Sequence, residues 1–278
     1  MFQAVCRDTR LLSLAIIIIV SFWTVIAYIA LPFAWRHYEH QHGLAGLAMV
    51  TRTKVGIPGD PINVGVVGAR DDVLCAMNAA GWYPADPVTL RSSIEIIGSV
   101  LLDRPYRDAP VSPLYYQDRR EDLAFEKPVG KSADRRHHVR LWKVLDNGEE
   151  GRGVWLGSIT FDRGVGFSHD DARITHHIGP DIDAERNLLI DDLKTAKVVT
   201  TIYEVTGIGP TLDGRNGEGD PYYTDGEIKI AVLVEGCDQR SAKVAVLDNP
   251  PLVDFKNEAW SVLSKILVPA APPPSDDQ

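Results

Sequence analysis

From Leu11 to Trp35 the chain carries no charged residue, and the run reads LLSLAIIIIV followed by SFWTVIAYIA. At 1.5 Å per residue such a run makes a helix of about 37 Å, enough for about 30 Å of hydrocarbon with some tilt. Trp35 and Tyr38 stand at its far end, where amphipathic rings suit a membrane interface. Pro32 is expected to kink or end the helix. A cleaved secretory signal has a shorter apolar core, about 7–15 residues, with small residues close behind. Here the core runs on into Leu31, Phe33 and Trp35, which favours a retained single-pass anchor. Arg7 and Arg10 precede it and only Arg36 follows closely, so the nearest charges place the following domain on the extracytoplasmic side. Counting Arg52 and Lys54 as well removes that bias.

The anchor divides the chain into a flank (1–10), the span (11–35), a juxtamembrane linker (36–55), one globular domain (56–268) and a Pro-rich tail (269–278). The linker segment WRHYEHQHG holds His37, His40 and His42, and reads as a solvated collar more readily than as a metal site. Leu44, Leu47, Ala48 and Val50 are expected to lie along the bilayer surface. The tail, PAAPPPSDDQ, has nothing to bury and is expected to be disordered. A formal charge of −9 argues against nucleic acid as a partner, since phosphate neutralisation needs Lys and Arg. Of three cysteines, Cys6 precedes the anchor, leaving Cys75 and Cys237 for the domain. Spacing alone does not say whether those two pair.

The domain opens with INVGVVG (Ile62 to Gly68), a buried strand, and RDDVLCAMNAAG, a helix stopped by Gly81. A second helix is expected from Thr89, with Leu90, Ile94, Ile97 and Leu101 inward. Residues 104–136 read as a long loop rich in Pro, Arg and Asp. HHVRLWKVL and VWLGSITF then flank DNGEEGRG as a hairpin, and RITHHI is a further short strand. DAERNLLIDDLKTA is an amphipathic helix, KVVTTIYEV and EIKIAVLV are strands, and EAWSVLSKIL is a final helix. Strands and helices mix without strict alternation. The expectation is therefore an α/β domain of α+β type, a mixed sheet packed with several helices, behind one transmembrane helix.

Two histidine pairs fall in predicted strands, where neighbouring side chains point to opposite faces. His137 and His176 share a face with aliphatic neighbours, whereas His138 and His177 lie on the more polar one. Were those strands adjacent, His138 and His177 would converge with Asp162, a two-His, one-carboxylate set suited to a divalent metal. Neither pair stands in an HxH, HExxH or HxxxH spacing, and hydrogen-bonded histidines in a sheet are the simpler account. GPTLDGRNGEGDPYYTDGE (Gly209 to Glu227) carries Asp213, Glu218, Asp220 and Asp225 among five glycines. It reads either as a functional loop, with Asp220 assisting His138, His177 and Asp162 in catalysis, or as an elaborate hairpin. Arg140, Arg163 and Arg215 are candidates for holding an anionic group. Gly65 and Gly68 match no phosphate-loop pattern, and Asp71 and Asp72 would repel an anion there. Asp181, Asp183 and Glu185 complement a helix dipole.

DPINVGVVG, AAGWYPADPVTLRSS, LLDRPY, APVSPLYY, DLAFEKPVG, RRHHVRLW, DRGVGFS, THHI, DAER and GRNGEGDPYYTDG occur in that order. Together they resemble the LssY-type C-terminal domain, from about Asp60 to Val234. The resemblance implies a bacterial, membrane-associated domain named after a secretion-locus component, with no catalytic roles to transfer. Some relatives are fused to a PAP2-type lipid phosphatase, but this chain has neither KxxxxxxRP nor PSGH, so that activity does not carry over. Two functions are expected from these readings. The first is a membrane-anchored accessory or binding module in an envelope, secretion or lipid-related process, with a membrane-protein or lipid partner. The alternative is a metal-dependent, phosphoesterase-like hydrolase built on the paired histidines.

Overall fold

A computed structural model describes residues 2–85, 114–129, 135–167 and 174–267. They fall into two units, Met1–Glu39 and His40–Gln278. The first unit is α1 (Phe2–Val25), a π-helical stretch (Ile26–Ala30) and α2 (Leu31–Tyr38). Leu11–Tyr38 is long and apolar enough to cross a membrane, with mean hydropathy 2.6 over its most apolar window, and a signal sequence passes the same test. Pro32 does not end the helix. It sits in the first turn of α2, just beyond the π-helical stretch, where its missing N–H is tolerated.

The second unit begins with β1 (Val50–Arg52), β2 (Pro58–Pro61) and β3 (Val64–Val67), then α3 (Arg70–Ala79) and β4 (Tyr83–Pro84). Short strands β5 (Tyr115–Tyr116) and β6 (Arg119–Arg120) lead into β7 (Leu123–Pro128), β8 (Arg136–Leu145), β9 (Val154–Phe167) and β10 (Ile174–Ile178). After α4 (Ile182–Thr195) come β11 (Val199–Val205), β12 (Asp213–Arg215), β13 (Pro221–Tyr223), β14 (Ile228–Leu233) and β15 (Ala245–Val246), and finally α5 (Pro251–Leu267). The main sheet runs β15-β11-β14-β3-β9-β8-β7-β4, with β10 added to β9. Its pairings are antiparallel except β3 with β14 and β11 with β15, so the expected mixed α+β architecture is what the chain forms.

β3 reads Val-Gly-Val-Val and is buried throughout, which requires both faces of the sheet to be covered. On one face α3 and α4 contribute Val73, Met77, Leu189 and Leu193 to a core with Val139, Leu141 and Phe125. On the other, Leu44, Leu114 and Tyr116 pack with Trp142, Leu156 and Ile230. A small sheet, β2-β1-β5-β6, belongs to that second layer. Asn63, fully buried, joins β3, β9 and α4: its amide donates to the Ile159 and Ile182 carbonyls and its oxygen accepts from Ile159 N–H.

Three expectations need correction. Leu44 and Leu47 do not lie along a bilayer surface; Leu44 is buried in the second core and Leu47 packs against it. The stretch read as a loop over 104–136 holds β5, β6 and β7, whose Leu123 and Phe125 pair in register with Leu141 and Val139 of β8. Its local Arg and Asp content hid the alternation of LAFEKP. The final helix starts at Pro251, well before Glu258. The helix expected from Thr89 lies outside the described residues.

Candidate functional site

Alternation along β8 places Arg136, His138, Arg140 and Trp142 on the face opposite to His137, Val139 and Leu141. Trp142 joins the apolar core, while the other three form a polar end to the same face. His138 lies across from Thr160 of β9 and Glu126 of β7. This face is no solvated surface: His138 is 3% exposed, and Arg140, Thr160 and Asp162 are buried as well.

The buried charges are paired, as burial demands. Asp162 accepts from Arg136 Nε at 3.2 Å, and Arg136 Nη1 donates to Glu126 at 2.7 Å. Asp60, from β2, meets Arg140 Nη1 at 3.3 Å and Asn216 Nδ2 at 3.2 Å. Burial pushes the Asp60 carboxyl up from its ordinary range; Arg140 and Asn216 oppose this, and nearby Asp162 and Asp220 add to it. Asn216 also folds its own loop, accepting from the N–H groups of Glu218 and Asp220. Asp220 in turn accepts from His177 Nδ1 at 2.9 Å and from Ile178 N–H at 3.0 Å. The Gly- and Asp-rich loop is thereby clamped onto β10 and β2. Around its tip it forms the hairpin β12–β13, in agreement with the hairpin reading.

A second network anchors the far end of this loop to α4. Arg186, almost fully buried, donates in bidentate fashion to Asp225, 2.8 Å for each bond, and to the Glu227 carbonyl. Asp183 accepts from Thr224 Oγ1 and Asp225 N–H, both at 2.6 Å. Burial raises Asp183; burial also acts upward on Asp225, but the Arg186 contacts hold Asp225 below its ordinary range. Burial pushes Glu227 up to about 7 against the opposing ion pair with Lys256. The acidic helix start therefore does more than complement a dipole. Asp181 caps α4 through Ala184 N–H, Asp183 holds the loop, and Glu185 pairs with His137 Nδ1 at 2.5 Å.

The structure thus brings His138, Arg140, Asp162 and Asp220 to one polar end of the sheet, with His177 on the neighbouring strand. Among the described residues no three His, Cys, Asp or Glu side chains come together as a metal-ligand set. His138, His177 and Asp162 are sheet neighbours, and Asp162 and His177 are engaged with Arg136 and Asp220. Of the arginines put forward for anions, Arg140 is neutralised by Asp60. Arg215 is exposed and donates to Gly219 O within its own hairpin, and Arg163 is exposed on β9. Asp60, Arg136, Asn216 and Arg186 were not singled out from the sequence. Asp60, Asn216 and Arg186 do lie in the quoted segments DPINVGVVG, GRNGEGDPYYTDG and DAER, so the distinctive motifs held the signal. Their partners, 39 to 156 positions away, are invisible to local reading.

Cys75 of α3 and Cys237 beyond β14 form a disulfide with a Cα–Cα distance of 5.2 Å. In comparisons with known proteins, the family described as LssY C-terminus matches residues 42–228. No curated protein and no solved structure matches the chain.

Proposed function

The chain belongs to the LssY C-terminus family, and from that membership we propose a membrane-tethered binding module of an envelope, secretion or lipid-related process, held against the bilayer on its extracytoplasmic side. The observation that carries this reading is α5. Leu252, Phe255, Val262, Leu263 and Ile266 are all exposed, and their spacing puts them on one stripe of the helix. A second face is tied down: Val253 is buried, Lys256 pairs with Glu227, and Asn257 donates to Glu204. A contiguous apolar stripe of this kind marks an interaction surface.

The bilayer interface is its occupant in this reading. α2 ends at Tyr38, and His40 already donates through Nε2 to the Asp248 carbonyl at 3.1 Å. α5 starts three positions after Asp248, so it begins close to His40, the residue at which the chain enters the folded unit. The extracytoplasmic side is supported by the Cys75–Cys237 disulfide, which persists in oxidising compartments, and by Arg7 and Arg10 ahead of the span.

The test uses the full chain, with Cys6→Ser, reconstituted in phosphatidylcholine vesicles containing brominated lipid. An environment-sensitive dye is placed at Phe255→Cys, Leu263→Cys or, as the polar-face control, Glu258→Cys. Blue-shifted emission quenched by bromolipid at positions 255 and 263, with a water-like spectrum at 258, supports the reading. Water-like spectra at all three positions defeat it, as does shielding at 255 and 263 that bromolipid does not quench, which would put a second copy or another part of the chain on the stripe.

One contact favours a second reading. His177 donates from Nδ1 to the buried Asp220 while its own side chain is 40% exposed, the arrangement by which a carboxylate orients a general base. As a hydrolase, the protein would turn over p-nitrophenyl ester or phosphate probes and lose that turnover in His177→Gln. Rates at the buffer background in the folded wild-type chain would exclude it for those substrates.

A further inference from the structure

Exposed apolar side chains are unevenly spread over the folded unit. Besides the five on α5, the large ones among its described residues are Met49, Val55, Leu212 and Val246, and none lies on α3 or α4, the helices over the first core. Val55 is 76% exposed at the turn between β1 and β2, with Arg52 and Lys54 just ahead of it. A scattered exposed aliphatic residue is ordinary, but this one is held at the tip of a tightly bonded hairpin beside two cations.

Thr53 closes that turn. Its N–H donates to the Ile57 carbonyl at 2.8 Å, its carbonyl accepts from Gly56 N–H at 2.9 Å, and its hydroxyl accepts from Ile57 N–H at 3.2 Å. Gly56 takes φ +88°, which a side chain would strain, so Lys54 and Val55 are fixed at the outer corner. Lys54 is exposed and makes no hydrogen bond or ion pair among the described residues. Arg52, also exposed, donates to the Gly56 carbonyl at 3.2 Å and joins no ion pair among them. Of the described residues lining the depression beside this turn, Asp118 alone is acidic. The loop from Gly209 to Glu227 connects the turn with α5: Gly217 lies against the Pro58 carbonyl and Ile57, and Gly226 lies against Leu212 and Lys256 Nζ. Leu212 is thus exposed where that loop meets α5. Glu218, next to Gly217, is half-buried and partnered, so it is no free counter-charge for the turn.

We propose that the β1–β2 turn is a second membrane contact, with Val55 entering the interface and Lys54 and Arg52 meeting anionic lipid headgroups. The proposal rests on the bilayer reading of α5 and adds a lipid class to it. An apolar tip flanked by cations matches the layering of an anionic leaflet, whose charged headgroups lie over the acyl boundary. In a chain of net charge −9 the attraction is local to this turn, so neutral lipid should hold it less well than anionic lipid.

The test places the same dye at Val55→Cys in the full chain carrying Cys6→Ser. Vesicles are phosphatidylcholine alone or an equal mixture with phosphatidylglycerol, each with brominated lipid. Blue-shifted emission quenched by bromolipid is expected in the mixture, and less of both in phosphatidylcholine. Lys54→Gln should lower the ratio of inserted to free tip about fivefold in the mixture, the effect of one basic residue at an anionic surface. Arg70→Gln, exposed on α3, should leave that ratio unchanged. Neither Lys54 nor Arg70 has a partner among the described residues, so both variants should fold. A water-like spectrum at position 55 in both lipids, with position 255 shielded, overturns this proposal and leaves the α5 reading standing. Water-like spectra at both positions defeat the two together. Equal shielding of position 55 in both lipids, or a wild-type ratio in Lys54→Gln, overturns the assignment to anionic lipid.

Discussion

Breaking the Cys75–Cys237 bridge should be among the most destabilising single perturbations of this chain. The two cysteines are 162 positions apart, so the bond closes a loop spanning most of the folded unit. In the chain-entropy description a loop of that length restricts the unfolded ensemble by about 5 kcal/mol at 25 °C. For a unit of this size, about 2–4 °C of melting temperature accompanies each kcal/mol, giving an expected fall of about 10–20 °C. Cys75 is half-buried and Cys237 exposed, so a reductant reaches the bond without prior unfolding. Two assays settle the matter in detergent-solubilised full chain. Thiol titration in denaturant without reductant should find one free thiol of the three cysteines, that of Cys6. Intrinsic-fluorescence melting of Cys75→Ala/Cys237→Ala should show the lowered transition. Three free thiols, or a transition within about 2 °C of wild type, would refute the reasoning and remove the main support for an oxidising compartment.

Other outcomes follow from the buried networks. Arg186→Leu leaves Asp183 and Asp225 without their cation and should cost about 3–5 kcal/mol in urea unfolding, whereas Arg215→Leu, exposed on its hairpin, should cost little. Glu227 holds its proton in the folded chain up to about pH 7, while the unfolded chain releases it near the ordinary 4.5. Stability contributed by that proton is present below about 4.5, falls as pH rises to about 7 and is level above; Asp60, also raised, acts in the same sense. Melting curves from pH 4.5 to 8 should therefore slope downward in wild type and less steeply in Glu227→Gln. Gly209→Ala would drive a methyl group into the Gly226 carbonyl, and a loss of about 1–3 kcal/mol or more is expected on remelting.

Much of the fold was legible where periodicity is strong. The buried run INVGVVG, the HHVRLWKVL–VWLGSITF hairpin and the DAERNLLIDDLKTA helix each announce themselves through local pattern. Local pattern failed where tertiary partners decide. Leu44 reads as interfacial because it lies between the span and the expected start of the domain, yet it is buried in one cluster with Trp142 and Tyr116. LAFEKP was read as loop because charged residues surround it, yet it pairs with β8 along its whole length. The polar end of the sheet shows the same limit. Alternation correctly put His138, Arg140 and Trp142 on one face, but that face is buried by β2 and the Gly- and Asp-rich loop, and its carboxylates are engaged by arginines far away in sequence. Cys75 and Cys237 stand in the same position, since only the turn beyond β14 brings them together.

The tether is the claim on which the rest stands, and it is tested by what remains attached to the folded unit in cells. The full chain would be expressed in a bacterial host with a C-terminal tag, membranes washed with alkaline carbonate, and the retained protein measured by intact mass and N-terminal sequencing. A retained anchor predicts carbonate-resistant protein whose mass includes Leu11–Tyr38. A soluble chain beginning after the apolar run would identify that helix as a cleaved signal and contradict the membrane-tethered module.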